Sequence, residues 1–169
     1  MVLSRRPGSI LLVIVGVALA VSPAVAEDIS CSTTASLGPA APFILPPPYD
    51  ALPKPPEGQF VYGTQALWTH LTSDGRWHGL YREDLHAYRN KLTVWRPGID
   101  WRTGNQPLTV TVRRLDGDAP AVQIPEASGV FAEGMGSAMM TAVNLPTTGC
   151  WEFTARYAAD SLTWVVSVP

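Results

Sequence analysis

Toward its end the chain reads CWEFTARYAADSLTWVVSV, with apolar side chains at every second position on both sides of a short break. Trp151, Phe153, Ala155 and Tyr157 fall on one face, and Cys150, Glu152, Thr154 and Arg156 on the other. Leu162, Trp164, Val166 and Val168 repeat the pattern. A period of two belongs to a β-strand with one buried face, because successive side chains point to opposite sides. The stretch PLTVTVRRL behaves alike, with Leu108, Val110 and Val112 on one face. KLTVWR, SAMMTAVNL and ALWTHL supply further strands. Gly, Pro, Asn and Asp interrupt these runs at short intervals, which argues for an all-β, antiparallel sandwich over residues 59–169. One stretch leaves two readings open. Tyr81, Leu85, Tyr88 and Leu92 recur at helical spacing, so YREDLHAYRNKL admits a short helix between strands.

Two segments precede this domain. Residues 1–26 carry Arg5 and Arg6, an apolar run of 12 residues from Ile10 to Val21, and the small-x-small triplet Ala24-Val25-Ala26. That is the pattern of a cleavable signal peptide. The run is shorter than the roughly 20 residues needed to cross a bilayer. The expected mature protein is therefore exported, periplasmic or extracellular, with no transmembrane segment. Residues 27–58 form a proline-rich arm, SLGPAAPFILPPPYDALPKPPEG being its densest part. Proline fixes φ and lacks an N–H, so the arm is expected to run extended. Phe43, Ile44, Leu45, Tyr49 and Leu52 make it more apolar than a free linker, and packing along the domain surface is the expectation.

The only cysteines are Cys31 and Cys150. In an exported chain two cysteines read as a disulfide, the alternatives being an intermolecular bridge or two free thiols. Alternation sets Cys150 opposite Trp151 and Phe153, hence away from the core. A Cys31–Cys150 bridge is expected to clasp the arm to the outside of the sandwich, where an immunoglobulin domain would staple its two sheets through the core.

The run LPTTGCWEFTARYAADSLTWVVSV, with VWRPGIDW and LTVTVRRLDGDAPAV upstream, resembles a group of uncharacterised secreted bacterial proteins and lipoproteins. Their domain closes on a P-x-x-G-C-W-E strand, matched here by Pro146, Gly149, Cys150, Trp151 and Glu152. The resemblance implies an immunoglobulin-like β-sandwich and an upstream cysteine partner, and no activity.

Motifs for chemistry are few. GMGSA at residues 134–138 lacks the context of a nucleophile elbow. The carboxylate pairs Glu83-Asp84 and Asp116/Asp118 lie in turn-like sequence, where Asp serves the turn itself. The reading is non-enzymatic: an envelope binding or adaptor module with an unassigned ligand. Two rival readings belong to other classes. His70, His78 and His86 recur every eight residues and Met135 lies in a methionine cluster, a donor set that suits a copper carrier. Trp77, Trp95 and Trp101, with Arg76 and Arg102 beside them, are candidates for a stacking platform that binds carbohydrate. Removing the leader leaves ten basic and fourteen acidic residues, a net charge of −4, which argues against nucleic acid. Within residues 76–114, however, eight basic residues meet three acidic ones, a stretch suited to an anionic envelope glycan or lipid head group.

Overall fold

Alternating strands must bury their apolar faces against one another, and here they do so in two antiparallel sheets. The computed structural model describes residues 31–36, 43–49 and 55–169. The expected leader and the remaining parts of the arm lie outside these residues. The strands, in chain order, are β1 (Gln59–Gly63), β2 (Trp68–Thr72), β3 (Leu80–Arg82), β4 (Ala87–Trp95), β5 (Asn105–Gln106) and β6 (Thr109–Arg114). They continue as β7 (Val122–Ile124), β8 (Ala127–Ala132), β9 (Gly136–Leu145), β10 (Gly149–Tyr157) and β11 (Asp160–Val168). The larger sheet has the order β1-β2-β4-β9-β8-β5, with β3 also on β4; the smaller has the order β11-β10-β6-β7. This is an immunoglobulin-like antiparallel sandwich. Among the described residues no helix is long and apolar enough to cross a membrane.

The core follows the alternation. Val110, Val112, Trp151, Phe153, Trp164 and Val166 from the smaller sheet meet Leu71, Leu92, Val94, Met139, Val143 and Leu145 from the larger. The helical spacing at residues 81–92 resolves as a hairpin. β3 and β4 pair with Tyr81 opposite Tyr88 and Arg82 opposite Ala87, and the turn between them ends on His86 at φ +46°. The two tyrosine rings meet edge-on at 5.2 Å. A spacing of seven thus serves a cross-strand pair as well as two helical turns.

Cys31 and Cys150 are bridged, with 5.3 Å between their Cα atoms. Cys150 leaves the core face, as alternation requires, and belongs to neither apolar cluster. It is nevertheless only 1% exposed. The expectation of an outward cysteine is thus corrected in one respect: the bridged side chain is closed over. Next to it, residues 31–36 lie along β11, the edge of the smaller sheet. Thr34 donates its N–H to the Val165 carbonyl, and the Val165 N–H donates to Thr34 Oγ1, both at 2.9 Å. Farther along the same edge, Ser167 N–H donates to the Gly75 carbonyl and the Ser167 carbonyl accepts from Trp77 N–H. The edge that would otherwise offer unpaired groups for association is covered within the chain.

The next described piece, residues 43–49, lies on the outer face of the larger sheet. Phe43, Leu45 and Tyr49 pack with Val61, Trp68, Trp95 and Ala138 as a second apolar cluster outside the sandwich. Tyr49 meets Trp68 edge-on at 5.2 Å, and its hydroxyl donates to the Ser137 carbonyl. Tyr49→Phe keeps the ring and removes the hydroxyl that donates to this part-buried carbonyl. Urea unfolding should show a loss of about 1 kcal/mol; an unchanged midpoint would mean that this contact does not hold the arm.

Candidate functional site

One edge of β4 is shared by two strands that do not meet. β2 pairs with it only at Trp95 and Val94, opposite Trp68 and Thr69. β3 pairs with it at residues 87–89. Between them residues 90–93 of β4 lack a partner strand on that side, and a cleft of about 290 Å³ opens there. Its walls are Asn90, Lys91, Leu92 and Thr93 on one side, and on the other the far end of β2 and the Arg76–Trp77–His78 segment that leads toward β3. The floor reaches the core at Trp164 and Val166.

Side chains satisfy much of the backbone at this break. Thr69 Oγ1 donates to the Thr93 carbonyl at 2.8 Å. Asn90 accepts from the Lys91 N–H at 2.8 Å and donates to the His78 carbonyl at 3.3 Å. Asp74 holds the far loop, accepting from Arg76 N–H at 2.9 Å and from His78 Nε2 at 3.0 Å. The Arg76 hydrogen bond, more than the Thr72 and His78 contacts, keeps the Asp74 carboxyl below its ordinary pKa.

Electrostatically the cleft is one-sided. No Asp or Glu among the described residues lines it. Among the described residues, neither the Arg76 guanidinium nor the Lys91 ammonium has an acidic partner. Trp77 is 8% exposed and packs at a tilt of 36° against Phe153, with ring centroids 5.1 Å apart; Phe153 in turn stacks on Trp164 at 5.3 Å. Trp77 Nε1 is buried without a hydrogen-bond partner, an unusual state for a buried donor. It lies beside Gly79, where a Cβ would come within 2.7 Å of it, so the missing side chain makes room for the indole.

His70 closes one end. Its ring lies 4.5 Å from that of Trp95, and burial pushes its pKa down to about 4, so the imidazole is neutral at pH 7. It also lines a second, mainly apolar cavity of about 300 Å³ beside the arm, together with Trp68, Trp95 and Met135.

The residues singled out from sequence are thereby distributed. Arg76, Trp77, Trp95, His70 and His78 come together around the cleft. The exposed row of Trp77, Trp95 and Trp101 that the carbohydrate reading requires does not form. Trp95 occupies the outward side of β4, as its position beside Lys91 and Thr93 suggests, yet the second cluster leaves it 5% exposed. Trp101 lies in a 3-10 turn, Trp101–Thr103, away from the cleft. It stacks on Phe131 at 5.9 Å, with Arg102 4.9 Å from its ring. Met135 shares the second cavity with His70, whereas His86 is in the β3–β4 turn. Among the described residues no three His, Cys, Asp or Glu side chains gather closely enough to hold a metal ion. Sequence reasoning passed over Lys91 and Asn90. Their one signal is that they are polar, and their importance depends on where β2 stops pairing.

The chain matches no family model, and no curated protein or solved structure is detectably similar to it.

Proposed function

We propose that this protein is an exported, non-enzymatic binding module of the cell envelope, and that its ligand occupies the cleft between β2 and β4. The observation that carries the reading is the interrupted edge of β4. A sandwich of this size has every reason to close its sheet, since each unpaired backbone group must find another partner. Here the strand is left open for four residues, and the core aromatics Trp77 and Trp164 form part of the cavity wall. The volume lies at the small end of ligand pockets, which run from about 300 to 1,000 Å³. The occupant is therefore a small molecule or the end group of a larger one. Export rests on the leader pattern of residues 1–26, and the Cys31–Cys150 bridge is compatible with an oxidising compartment.

The six tryptophans give six indole N–H signals by nuclear magnetic resonance, and those of Trp77, Trp95 and Trp164 report on the cleft. Glucose, glucuronate, glucosamine and Cu(I) are added in turn to the mature protein. At least one of them should shift the Trp77 indole and the Lys91 amide, and Thr93→Trp, which places a large ring at the cleft wall, should abolish the shift. Shifts centred on Trp101 and Phe131 would instead favour the carbohydrate platform. Shifts confined to His70 and Met135 on adding Cu(I) would favour the copper carrier. No shift at Trp77 with any probe would overturn the reading.

A further inference from the structure

We infer that the cleft takes a small ring bearing an oxyanion, a carboxylate or a phosphate, with Arg76 and Lys91 holding the charge. The inference rests on the cleft being the binding site and adds the chemistry of its ligand. Three observations lead to it.

The first is the charge of the walls. Lys91 is on the outer side of β4 within the unpaired stretch, and Arg76 is on the facing loop. Among the described residues, neither cation has an acidic partner and no carboxylate lines the cleft that an anion would have to displace or be repelled by. The nearby acid, Asp74, is engaged by the Arg76 N–H and by His78. Arg offers a planar fork matched to carboxylate or phosphate oxygens, and Lys adds a point charge.

The second is the supply of neutral donors. Gln59 and Thr93 line the same cleft as the two cations, and their amide and hydroxyl groups can donate to an oxyanion or to a ring hydroxyl. His70, kept neutral by burial, adds no third charge at pH 7.

The third is the floor. Trp77, Trp164, Leu92 and Val166 line the bottom of the cleft, each no more than 8% exposed, and form a narrow apolar strip between polar walls. A ring with one apolar face packs against them while its acidic group reaches the rim. A uronate and a sugar phosphate both meet this description, and they share the chemistry that the walls recognise.

Calorimetric titration of the mature protein with glucuronate, glucose 6-phosphate, glucose and inorganic phosphate tests it. Glucuronate or glucose 6-phosphate should bind at least ten-fold more tightly than glucose and than inorganic phosphate, and which of the two wins identifies carboxylate or phosphate. Lys91→Gln and Arg76→Gln should each weaken that binding about ten-fold, the effect of losing one charge-assisted contact. Both side chains are solvent-exposed, so the folded state should survive. Arg89→Gln, a cation outside the cleft, should change nothing. Equal binding of glucose and glucuronate, or full affinity in Lys91→Gln, would overturn the oxyanion assignment and leave the cleft as the site. If none of the four binds at millimolar concentration the oxyanion assignment falls; the indole shifts described above then decide separately whether the cleft itself stands.

Discussion

Replacing both cysteines, Cys31→Ala with Cys150→Ala, should lower stability by about 4–5 kcal/mol, the chain-entropy value for releasing a loop of more than a hundred residues. The bridge spans 119 positions, so β1 to β9 lie inside the loop it closes, while most of β10 and all of β11 follow it. For a domain of this size the loss corresponds to a melting temperature lower by about 15–20 °C. The clasp makes a sharper forecast than the midpoint does, because two neighbouring amides on β11 have different partners. Val165 N–H donates to Thr34 Oγ1 in the clasped segment, whereas Ser167 N–H donates to the Gly75 carbonyl within the domain. In the double variant, hydrogen exchange should lose protection at Val165 beyond the global change and keep it at Ser167. If both amides respond alike, the bridge is a general staple and the clasp is refuted.

That clasp was legible because alternation is a local property. Trp151 and Phe153 need the core, so Cys150 must leave it, and the neighbouring residues of the motif have similarly local duties. Gly149 adopts φ +127°, and a Cβ there would come within 2.7 Å of Asp116 Oδ1, which is bound to Arg114. Trp151 Nε1 donates to the Thr147 carbonyl, and Glu152 pairs with Arg113 on β6. What the sequence concealed were consequences of register and of distant chain. Trp95 has an outward position by alternation, and it is buried in a cluster that brings Phe43, Leu45 and Tyr49 from some fifty residues upstream, with His70 against its ring and the Met135 carbonyl accepting from its Nε1. Trp77, in a turn-like stretch, enters the core because β2 and β3 leave a gap for the loop between them. Lys91 gains its place at the cleft from the same gap. No periodicity within one strand reveals where its neighbour stops pairing.

Lowering the pH from about 6.5 to about 4 should cost the protein on the order of 3 kcal/mol through His70 alone. Burial against Trp95 and the second cavity sets its folded pKa at about 4, against 6.5 for an exposed imidazole. Above pH 6.5 the ring is neutral in both states and contributes no slope. Below it the unfolded chain binds a proton that the folded chain refuses, so stability falls by about 1.4 kcal/mol per pH unit until the folded pKa is reached. Asp74 acts in the same direction but in a lower window. Its carboxyl, depressed mainly by the Arg76 N–H, gives a contribution that is lost only as pH falls from about its ordinary value of 3.8 through the folded one. The two are therefore separable. His70→Phe preserves an aromatic ring on Trp95 and removes the titration, so urea midpoints between pH 4 and 6.5 should become flatter while the decline below pH 4 persists. A His70→Phe variant with the wild-type slope between pH 4 and 6.5 would show that the ring is hydrated and charged there, and that the wall between the two cavities is open to water.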